Sequence, residues 1–103
     1  MNKYRNQKTI IDEIKFDSKK EAVRYRHLKT FERVGLIKDL RLQVPYILID
    51  KSQYGRAIKY VADFVYIEDD NLVVEDVKGV RTDVYRLKKR LMAERYGIEI
   101  REV

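Results

Sequence analysis

Apolar and polar residues recur along the chain with two periods, and these periods predict its secondary structure. Helical spacing marks two segments, whereas alternating β-branched and aromatic residues mark strands. Residues 1–8 are polar, and we expect them to fray. The predicted elements are, in chain order, a short strand pair or bent strand at 10–16, a helix at 18–34, β segments at 36–40 and 44–49, strands at 57–67 and 72–78, a helix from 82 or 83 to 96, and a last strand at 98–103.

This order of elements predicts an α/β fold. A helix, a β-meander and a second helix are expected to form a three-layer sandwich, with a central mixed β-sheet flanked by helices. The length of the chain favours one domain spanning residues 1–103. The chain has no Cys, which excludes disulfides and Cys-based zinc sites. Without a membrane-length apolar run or a signal-peptide pattern, we expect a cytoplasmic protein with no membrane partner.

The second predicted helix carries two apolar stripes on nearly opposite sides. The first stripe is Val84, Leu87 and Leu91, and the second is Tyr85, Lys89, Met92 and Tyr96. We expect the first to pack on the sheet. The second is too apolar for a plain solvent face, so a homodimer interface, a DNA-facing surface and burial under the N-terminal segment all stay open.

The net charge of +6 favours a polyanionic partner, with nucleic acid as the first candidate. Residues 1–52 carry 13 basic and 7 acidic side chains, whereas residues 53–103 carry 10 of each. In the second half, the acids cluster at 63–76 and the bases at 78–95. An acidic pocket beside a basic stretch suits a cation-dependent phosphodiesterase. Ordinary surface lysines and arginines explain the net charge equally well.

Two carboxylates and a lysine fall on neighbouring strands of a predicted hairpin. Alternation along the second strand places Asp76 and Lys78 on one face and Glu75 on the other. If the loop is 69–70, paired residue numbers add to 139. Asp63 then lies opposite Asp76, with Cβ atoms roughly 5 Å apart.

Regular alternation on the first strand of this hairpin places Asp63 on the same apolar face as Val61 and Val65. Two like charges on a buried face destabilise a sheet unless something compensates them. A divalent cation bound by carboxylate oxygens provides that compensation. The alternative is a simple Asp–Lys salt bridge near the end of the sheet.

Glu21 falls on the stripe of the first helix that also holds Tyr25 and Leu28, so it points toward the core. Glu21 also lies three residues after Ser18, which is the spacing of a capping box. A metal- or water-orienting role and a capping role both stay open for its carboxylate.

The segment Tyr60-Val61-Ala62-Asp63-Phe64, a hairpin, and then Glu75-Asp76-Val77-Lys78-Gly79 resembles the signature of the PD-(D/E)XK nuclease superfamily. A first helix bearing a glutamate and a basic helix after the lysine fit the same pattern. The resemblance extends over nearly the whole chain and is greatest to short phage-encoded endonucleases, including Holliday-junction-resolvase-like members. One departure is Ala62, which stands where the motif has Pro.

The resemblance implies a restriction-endonuclease-like fold and a divalent-metal-dependent DNA endonuclease. Asp63, Asp76 and the backbone carbonyl of Val77 would bind Mg²⁺, with Mn²⁺ as a substitute, and Glu21 would complete the site directly or through water. Lys78 would position or activate the attacking water, or stabilise charge on the phosphate. A bound metal lowers the pKa of its water and neutralises the scissile phosphate.

Several alternatives for the substrate and the assembly stay open. The enzyme can be nonspecific or structure-selective on duplex, branched or single-stranded DNA, or a Holliday junction resolvase acting as a homodimer. A non-enzymatic nucleic-acid-binding protein and an interaction subunit that lost the chemistry are competing interpretations. If the chain is phage-encoded, its location is the host cytoplasm.

The remaining candidates are residues for contacts around the site. The candidates for phosphate contacts are Arg81, Arg86, Lys88 and Lys89. Gln43 can approach the site from the preceding strand. Tyr4, Tyr46 and Tyr54 can stack on bases, although such tyrosines more often cover a sheet edge.

Overall fold

The structure is a computed structural model that describes residues 8–103. Residues 1–7, for which fraying is expected, lie outside the described part. The elements are β1 (Thr9–Ile11), β2 (Ile14–Phe16), α1 (Lys19–Arg33), β3 (Lys38–Ile49), β4 (Ile58–Glu68), β5 (Asn71–Asp76), α2 (Asp83–Tyr96) and β6 (Arg101–Glu102). The predicted order of strands and helices is confirmed. Neither of these helices is long and apolar enough to cross a membrane.

Both helices begin and end where their terminal residues predict. The Ser18 side chain accepts a hydrogen bond from the backbone of Glu21, and Thr82 does the same for Tyr85. Thr82 rather than Asp83 is therefore the N-cap of α2. The chain leaves α2 through Gly97 at φ 66°, a left-handed conformation that glycine adopts without steric cost.

The main sheet is mixed, as predicted, with strand order β3-β4-β5-β6. β3, β4 and β5 are antiparallel neighbours, whereas β6 is parallel to β5. β1 and β2 form a separate antiparallel pair. The last strand is shorter than predicted, because only Arg101 and Glu102 join the ladder. Val103 extends the contact, since its N–H donates to the Asp76 carbonyl at 3.0 Å and its carbonyl accepts from Lys78 N at 3.1 Å.

The predicted register between β4 and β5 is confirmed. Val65 pairs with Val74 and Phe64 with Glu75, so paired residue numbers add to 139. Asp69 and Asp70 form the two-residue loop with φ values of 50° and 63°. Two left-handed residues in a row give a turn whose twist matches that of the strands, and Asp tolerates this conformation. The hairpin therefore aims Asp63 and Asp76 at each other.

The two helices cover opposite faces of the sheet. Val73 packs in one core cluster and its neighbour Val74 in the other. The α1 cluster contains Phe16, Ala22, Tyr25, Leu28, Ile37, Phe64, Tyr66 and Val73. The α2 cluster contains Leu48, Tyr60, Ala62, Val65, Val74, Tyr85, Met92 and Ile100. Adjacent strand residues point to opposite faces, so the sheet lies between α1 and α2.

Along the hairpin of β3 and β4, the regular alternation of side chains between the two faces of the sheet is interrupted at Gln43 and Asp63. On one side of this point, Leu42 and its partner Phe64 pack in the α1 cluster. On the other side, Val44 and its partner Ala62 pack in the α2 cluster.

The regular alternation predicted for β4 is therefore wrong at Asp63. Val65 packs in the α2 cluster, whereas Val61 is 45% exposed. The physical cause lies on the neighbouring strand. Gln43, between two residues that pair around Asp63, is left-handed at φ 52° and interrupts the pleat there.

The two stripes of α2 are largely exchanged relative to the prediction, although Leu91 of the first stripe packs against the α2 cluster as predicted. Tyr85 and Met92 are buried against the sheet, whereas Val84 is 63% exposed and Leu87 is 59% exposed. The buried tyrosine keeps a partner for its hydroxyl, which donates to Glu102 at 2.7 Å. An aromatic ring with a satisfied hydroxyl buries more area than a valine, which explains why this stripe faces the core.

Candidate active site

One pocket of about 820 Å³ gathers the residues that the sequence singles out. α1 contributes Glu21, β4 contributes Asp63, and the end of β5 contributes Asp76. The following segment adds Val77 and Lys78. These residues are far apart in the chain, and the hairpin register and the face of α1 bring them to one place.

Asp63 lines the pocket and bonds to two other segments of the chain. Its Oδ2 accepts a hydrogen bond from the backbone N–H of Val77 at 2.8 Å, and its Oδ1 lies 3.5 Å from Nε2 of Gln43. The Asp76 carboxyl is within hydrogen-bonding reach. Burial raises the pKa of Asp63 above its usual value, and Asp76 adds to the increase. The Asp63–Asp76 pair therefore favours a bound proton or a cation.

Asp76 is 4% exposed, and both of its carboxylate oxygens have partners. Oδ2 accepts from the Tyr60 hydroxyl at 2.7 Å, and Oδ1 lies 3.3 Å from Nζ of Lys78. The same Nζ lies 3.8 Å from the centroid of the Tyr85 ring. The ion pair that the sequence also allows is thus present, and the aromatic face holds the ammonium beside it.

Glu21 turns its side chain toward the acids of the strands. The backbone N–H of Glu21 donates to the Ser18 hydroxyl oxygen, the N-cap of α1, at 3.1 Å. The carboxylate Oε1 of Glu21 accepts a hydrogen bond from Nε2 of Gln43 at 3.2 Å. Burial raises the pKa of Glu21, and the charges of Asp17 and Asp76 raise it further. The core-facing stripe predicted for this helix is confirmed, since Glu21 is 8% exposed.

Gln43 is an amide that joins the acids, and the sequence indicates only that it can approach them. Its Nε2 lies between Glu21 and Asp63, which are on different elements. An uncharged donor can bridge two carboxylates without adding charge to the pocket. The signal in the sequence is a polar amide just before the apolar run 44–49, which by itself does not locate its partner.

The carboxylate oxygens of these acids are suitable ligands for a divalent cation, but their positions in this structure do not form a metal site. Within residues 8–103, no three His, Cys, Asp or Glu side chains are grouped closely enough to hold a metal ion as they stand. Each of the three acids has an oxygen turned to a protein donor, namely Val77 N–H, Tyr60 hydroxyl or Gln43 amide. An all-oxygen donor set is what Mg²⁺ and Mn²⁺ prefer.

Within residues 8–103, four tyrosine hydroxyls donate to carboxylates. The pairs are Tyr25 with Asp12 at 2.9 Å, Tyr60 with Asp76 at 2.7 Å, Tyr66 with Glu75 at 2.5 Å, and Tyr85 with Glu102 at 2.7 Å. Two of these acids are consecutive residues on opposite faces of β5. The buried carboxylates of the strand therefore rely on phenol donors.

The basic side chains at the pocket differ from those predicted for phosphate contacts. Of the four, Lys88 lines the pocket. Arg81 and Lys89 pair with Glu102 at 3.0 and 3.4 Å, and Arg86 pairs with Asp83 at 3.2 Å. The pocket also holds Lys20 and Lys59, which the sequence does not single out because they lie outside the second helix.

A protein-family profile, described as a protein of unknown function (DUF1064), matches residues 1–102. No curated protein matches the chain, and no solved structure matches it. Since the profile spans nearly the whole sequence, the chain belongs to the DUF1064 family.

Proposed function

We propose that the protein is a divalent-metal-dependent DNA endonuclease that hydrolyses phosphodiester bonds, in the manner of the PD-(D/E)XK nucleases and with their restriction-endonuclease-like fold. The observation that carries the proposal is the convergence of Glu21, Asp63, Asp76 and Lys78 in one pocket. Two of the acids, Glu21 and Asp76, are buried, and Asp63 and Lys78 are half-buried beside them. Such a cluster of charges costs stability, so a structural role alone gives little reason to keep it there.

Asp63, Asp76, the Val77 carbonyl and Glu21 would hold Mg²⁺ or Mn²⁺, which would supply an activated water and neutralise the scissile phosphate. The N–H of Val77 donates to the Asp63 carboxylate. The residues on either side of Val77, Asp76 and Lys78, form backbone hydrogen bonds with Val103 along the opposite edge of this strand. In an extended strand, the N–H and C=O of one residue share an edge. The Val77 carbonyl is therefore on the edge that Asp63 occupies, which supports its assignment.

Side chains around the acids have further roles in binding and orientation. Lys78 keeps its ammonium 3.3 Å from Asp76, where it can orient a water or meet charge that develops on a phosphate. Tyr60 holds the Asp76 carboxylate in one orientation, and Gln43 holds Glu21 relative to Asp63. Lys20, Lys59 and Lys88 add positive charge at the pocket for a phosphate backbone.

Cleavage assays test the proposal directly. Supercoiled plasmid, linear duplex and a four-way junction are incubated with Mg²⁺, Mn²⁺ or EDTA. We expect cutting with either metal and none in EDTA. Preference for the junction with paired nicks would select a resolvase, and sedimentation would report whether it is a homodimer.

Two variants and two matched controls connect the activity to the pocket. Asp76→Asn and Lys78→Met are expected to lower the rate by about 100-fold or more, because each removes a charge in contact with the reacting groups. Asp83→Asn and Lys15→Met change the same charges at exposed positions and should cut normally. A wild type that binds DNA but does not cut it, or pocket variants that cut as well as the controls, would favour a non-enzymatic binding protein.

A further inference from the structure

The end of the β3–β4 hairpin extends beyond the rest of the sheet as a two-stranded ribbon. β5 pairs with residues 64–68 of β4, whereas β3 and β4 stay paired as far as Ile49 and Ile58. α2 supports one side of the ribbon through Tyr96, whose hydroxyl donates to the Ile47 carbonyl at 2.6 Å, and through Arg95, which donates to the Leu48 carbonyl at 3.0 Å. The ribbon is thus held in place, and its other side is free of the helix.

Residues 50–57, which we call the hairpin tip, form an ordered turn. Ser52 and Gly55 exchange two backbone hydrogen bonds, at 3.0 and 3.2 Å. The Ser52 hydroxyl also accepts from the backbone N–H of Tyr54 at 3.1 Å. The backbone that carries Tyr54 is therefore fixed before any partner arrives, which lowers the entropic cost of binding.

Tyr54 is the most exposed tyrosine of residues 8–103, at 90%. Four other tyrosines donate to carboxylates, and Tyr96 donates to a carbonyl and packs against Tyr46. Those contacts place the other rings in or against the fold, whereas the Tyr54 ring lies in solvent. An aromatic ring presented on a fixed turn offers a flat surface for stacking.

Positive charge surrounds this ring and continues to the pocket. Residues 51–59 contain Lys51, Arg56 and Lys59 and no acid. The nearest acid before them, Asp50, is paired with Arg95 at 3.4 Å. Lys59 itself lines the pocket that holds the three acids. A backbone of phosphates that enters this pocket would therefore meet further cations toward the hairpin tip.

We propose that the hairpin tip is a second nucleic-acid contact, in which Tyr54 stacks on an unpaired base while Lys51 and Arg56 hold the neighbouring phosphates. The inference rests on the proposed function for its choice of polyanion. Stacking needs a base whose face is free, so the tip would favour DNA with unpaired bases over an intact duplex. The partner class is nucleic acid rather than protein, since Lys51 and Arg56 flank the ring and the one acid of the tip, Asp50, is paired with Arg95.

The length of the strand sets the spacing between the two contacts. Five residue steps separate Ile58 from Asp63, or roughly 17 Å at 3.3 Å per residue. DNA advances about 3.4 Å per nucleotide along one strand. The stacked base would therefore lie about five or more nucleotides from the phosphate in the pocket.

Fluorescence anisotropy in EDTA tests the contact without cleavage. The probes are a duplex with one unpaired base, a four-way junction and a linear duplex of matched length. Tyr54→Ala is expected to weaken binding to the unpaired-base duplex about 10-fold and to the linear duplex less than twofold. Tyr54→Phe should bind as wild type, because stacking does not need the hydroxyl. Leu36→Ala, at an exposed position outside the tip, is the control.

A double variant tests the role of the cations. Lys51→Ala with Arg56→Ala should weaken binding to all three probes and reduce the slope of log K against log salt by about two. Equal binding by Tyr54→Ala and wild type on every probe would overturn the proposal. So would an equal loss on every probe, or a loss in Tyr54→Phe as large as in Tyr54→Ala. A change in sedimentation on Tyr54→Ala would instead assign the tip to contact between copies of the chain.

The outcomes separate this inference from the proposed function. A wild type that binds the unpaired-base duplex through Tyr54 but never cuts it would overturn the nuclease and keep the contact. A wild type that cuts, with Tyr54→Ala binding and cutting every probe equally well, would overturn the contact and keep the nuclease.

Discussion

Arg24 on α1 holds Glu75 on β5 in a two-point contact, with Nε 2.6 Å from Oε1 and Nη2 2.9 Å from Oε2. Glu75 is fully buried, and its Oε2 also accepts from the Tyr66 hydroxyl. Arg24 lies one turn after Glu21, and Glu75 immediately precedes Asp76. This ion pair therefore fixes the distance between α1, which carries Glu21, and β5, which carries Asp76.

Removing one partner of this ion pair should destabilise the fold more than removing both. Arg24→Leu leaves the Glu75 charge buried without its cation, so we expect the free energy of unfolding to fall by about 3 kcal/mol. Arg24→Leu with Glu75→Leu should recover most of that loss, because no uncompensated charge remains. Urea denaturation measures both. A double variant as unstable as the single one would contradict this account.

Gln43 should affect cleavage more than stability. Gln43→Asn keeps an amide and tolerates the left-handed backbone, but it is one methylene too short to bridge Glu21 and Asp63. We expect cleavage about 10-fold slower, the effect typical of groups that orient the residues of a site. Glu94→Asp, which removes one methylene from an exposed side chain outside the pocket, is the control. Equal rates for the two variants would remove Gln43 from the site.

The face that α2 turns toward the sheet predicts which of its apolar residues stabilise the fold. Met92 is fully buried and Leu87 is 59% exposed. Met92→Ala should lower the free energy of unfolding by about 2–5 kcal/mol through the cavity that it leaves, whereas Leu87→Ala should cost less than about 0.5 kcal/mol. Urea midpoints for the two variants decide which stripe faces the sheet. The reverse order would restore the arrangement predicted from the sequence.

Acid should weaken the contact between β6 and α2. The hydrogen bond from Arg81, followed by that from Tyr85, lowers the pKa of Glu102 to about 2, below the 4.5 of a free glutamate. A lowered folded-state pKa gives stability that is present above about pH 4.5 and lost as the pH falls toward 2. Glu102→Gln should therefore be less stable than wild type at neutral pH, and the difference should shrink below pH 4.5.

Urea unfolding at several pH values measures this difference. Glu99→Gln removes the same charge at an exposed position nearby and serves as the control. A Glu102→Gln deficit that stays constant from pH 7 to pH 3 would show that the carboxylate charge is not its source.

Local signals in the sequence predict those parts of the fold that depend on neighbouring residues. The helix starts follow from hydroxyl caps at Ser18 and Thr82, and the hairpin register follows from a two-residue turn of aspartates. That register is enough to aim Asp63 at Asp76. The pairing of the two strands at the candidate site was therefore predictable from the turn length, whereas the regular alternation along β4 fails at Asp63.

The features that the sequence does not predict depend on contacts between distant segments. Both stripes of α2 are apolar, and the choice between them depends on Glu102, which supplies a partner for the Tyr85 hydroxyl. The exchange of faces at Gln43 and Asp63 requires a left-handed residue that is not glycine, so no composition signal marks it. Lys20 and Lys59 reach the pocket only because α1 and β4 meet there.

The tyrosine–carboxylate hydrogen bonds also determine the optical behaviour of this protein. The chain has no Trp, so its ultraviolet emission comes from tyrosine. An excited phenol is a much stronger acid than the ground-state phenol and can transfer its proton to a hydrogen-bonded carboxylate, which quenches its fluorescence. Tyr60 and Tyr66 donate to buried carboxylates, whereas the Tyr54 ring lies in water. The emission of the folded protein therefore comes mainly from tyrosines without a carboxylate partner, and Tyr54 of the hairpin tip is one of them. Any ligand that moves Asp76 away from Tyr60 would restore the emission of a buried tyrosine as well.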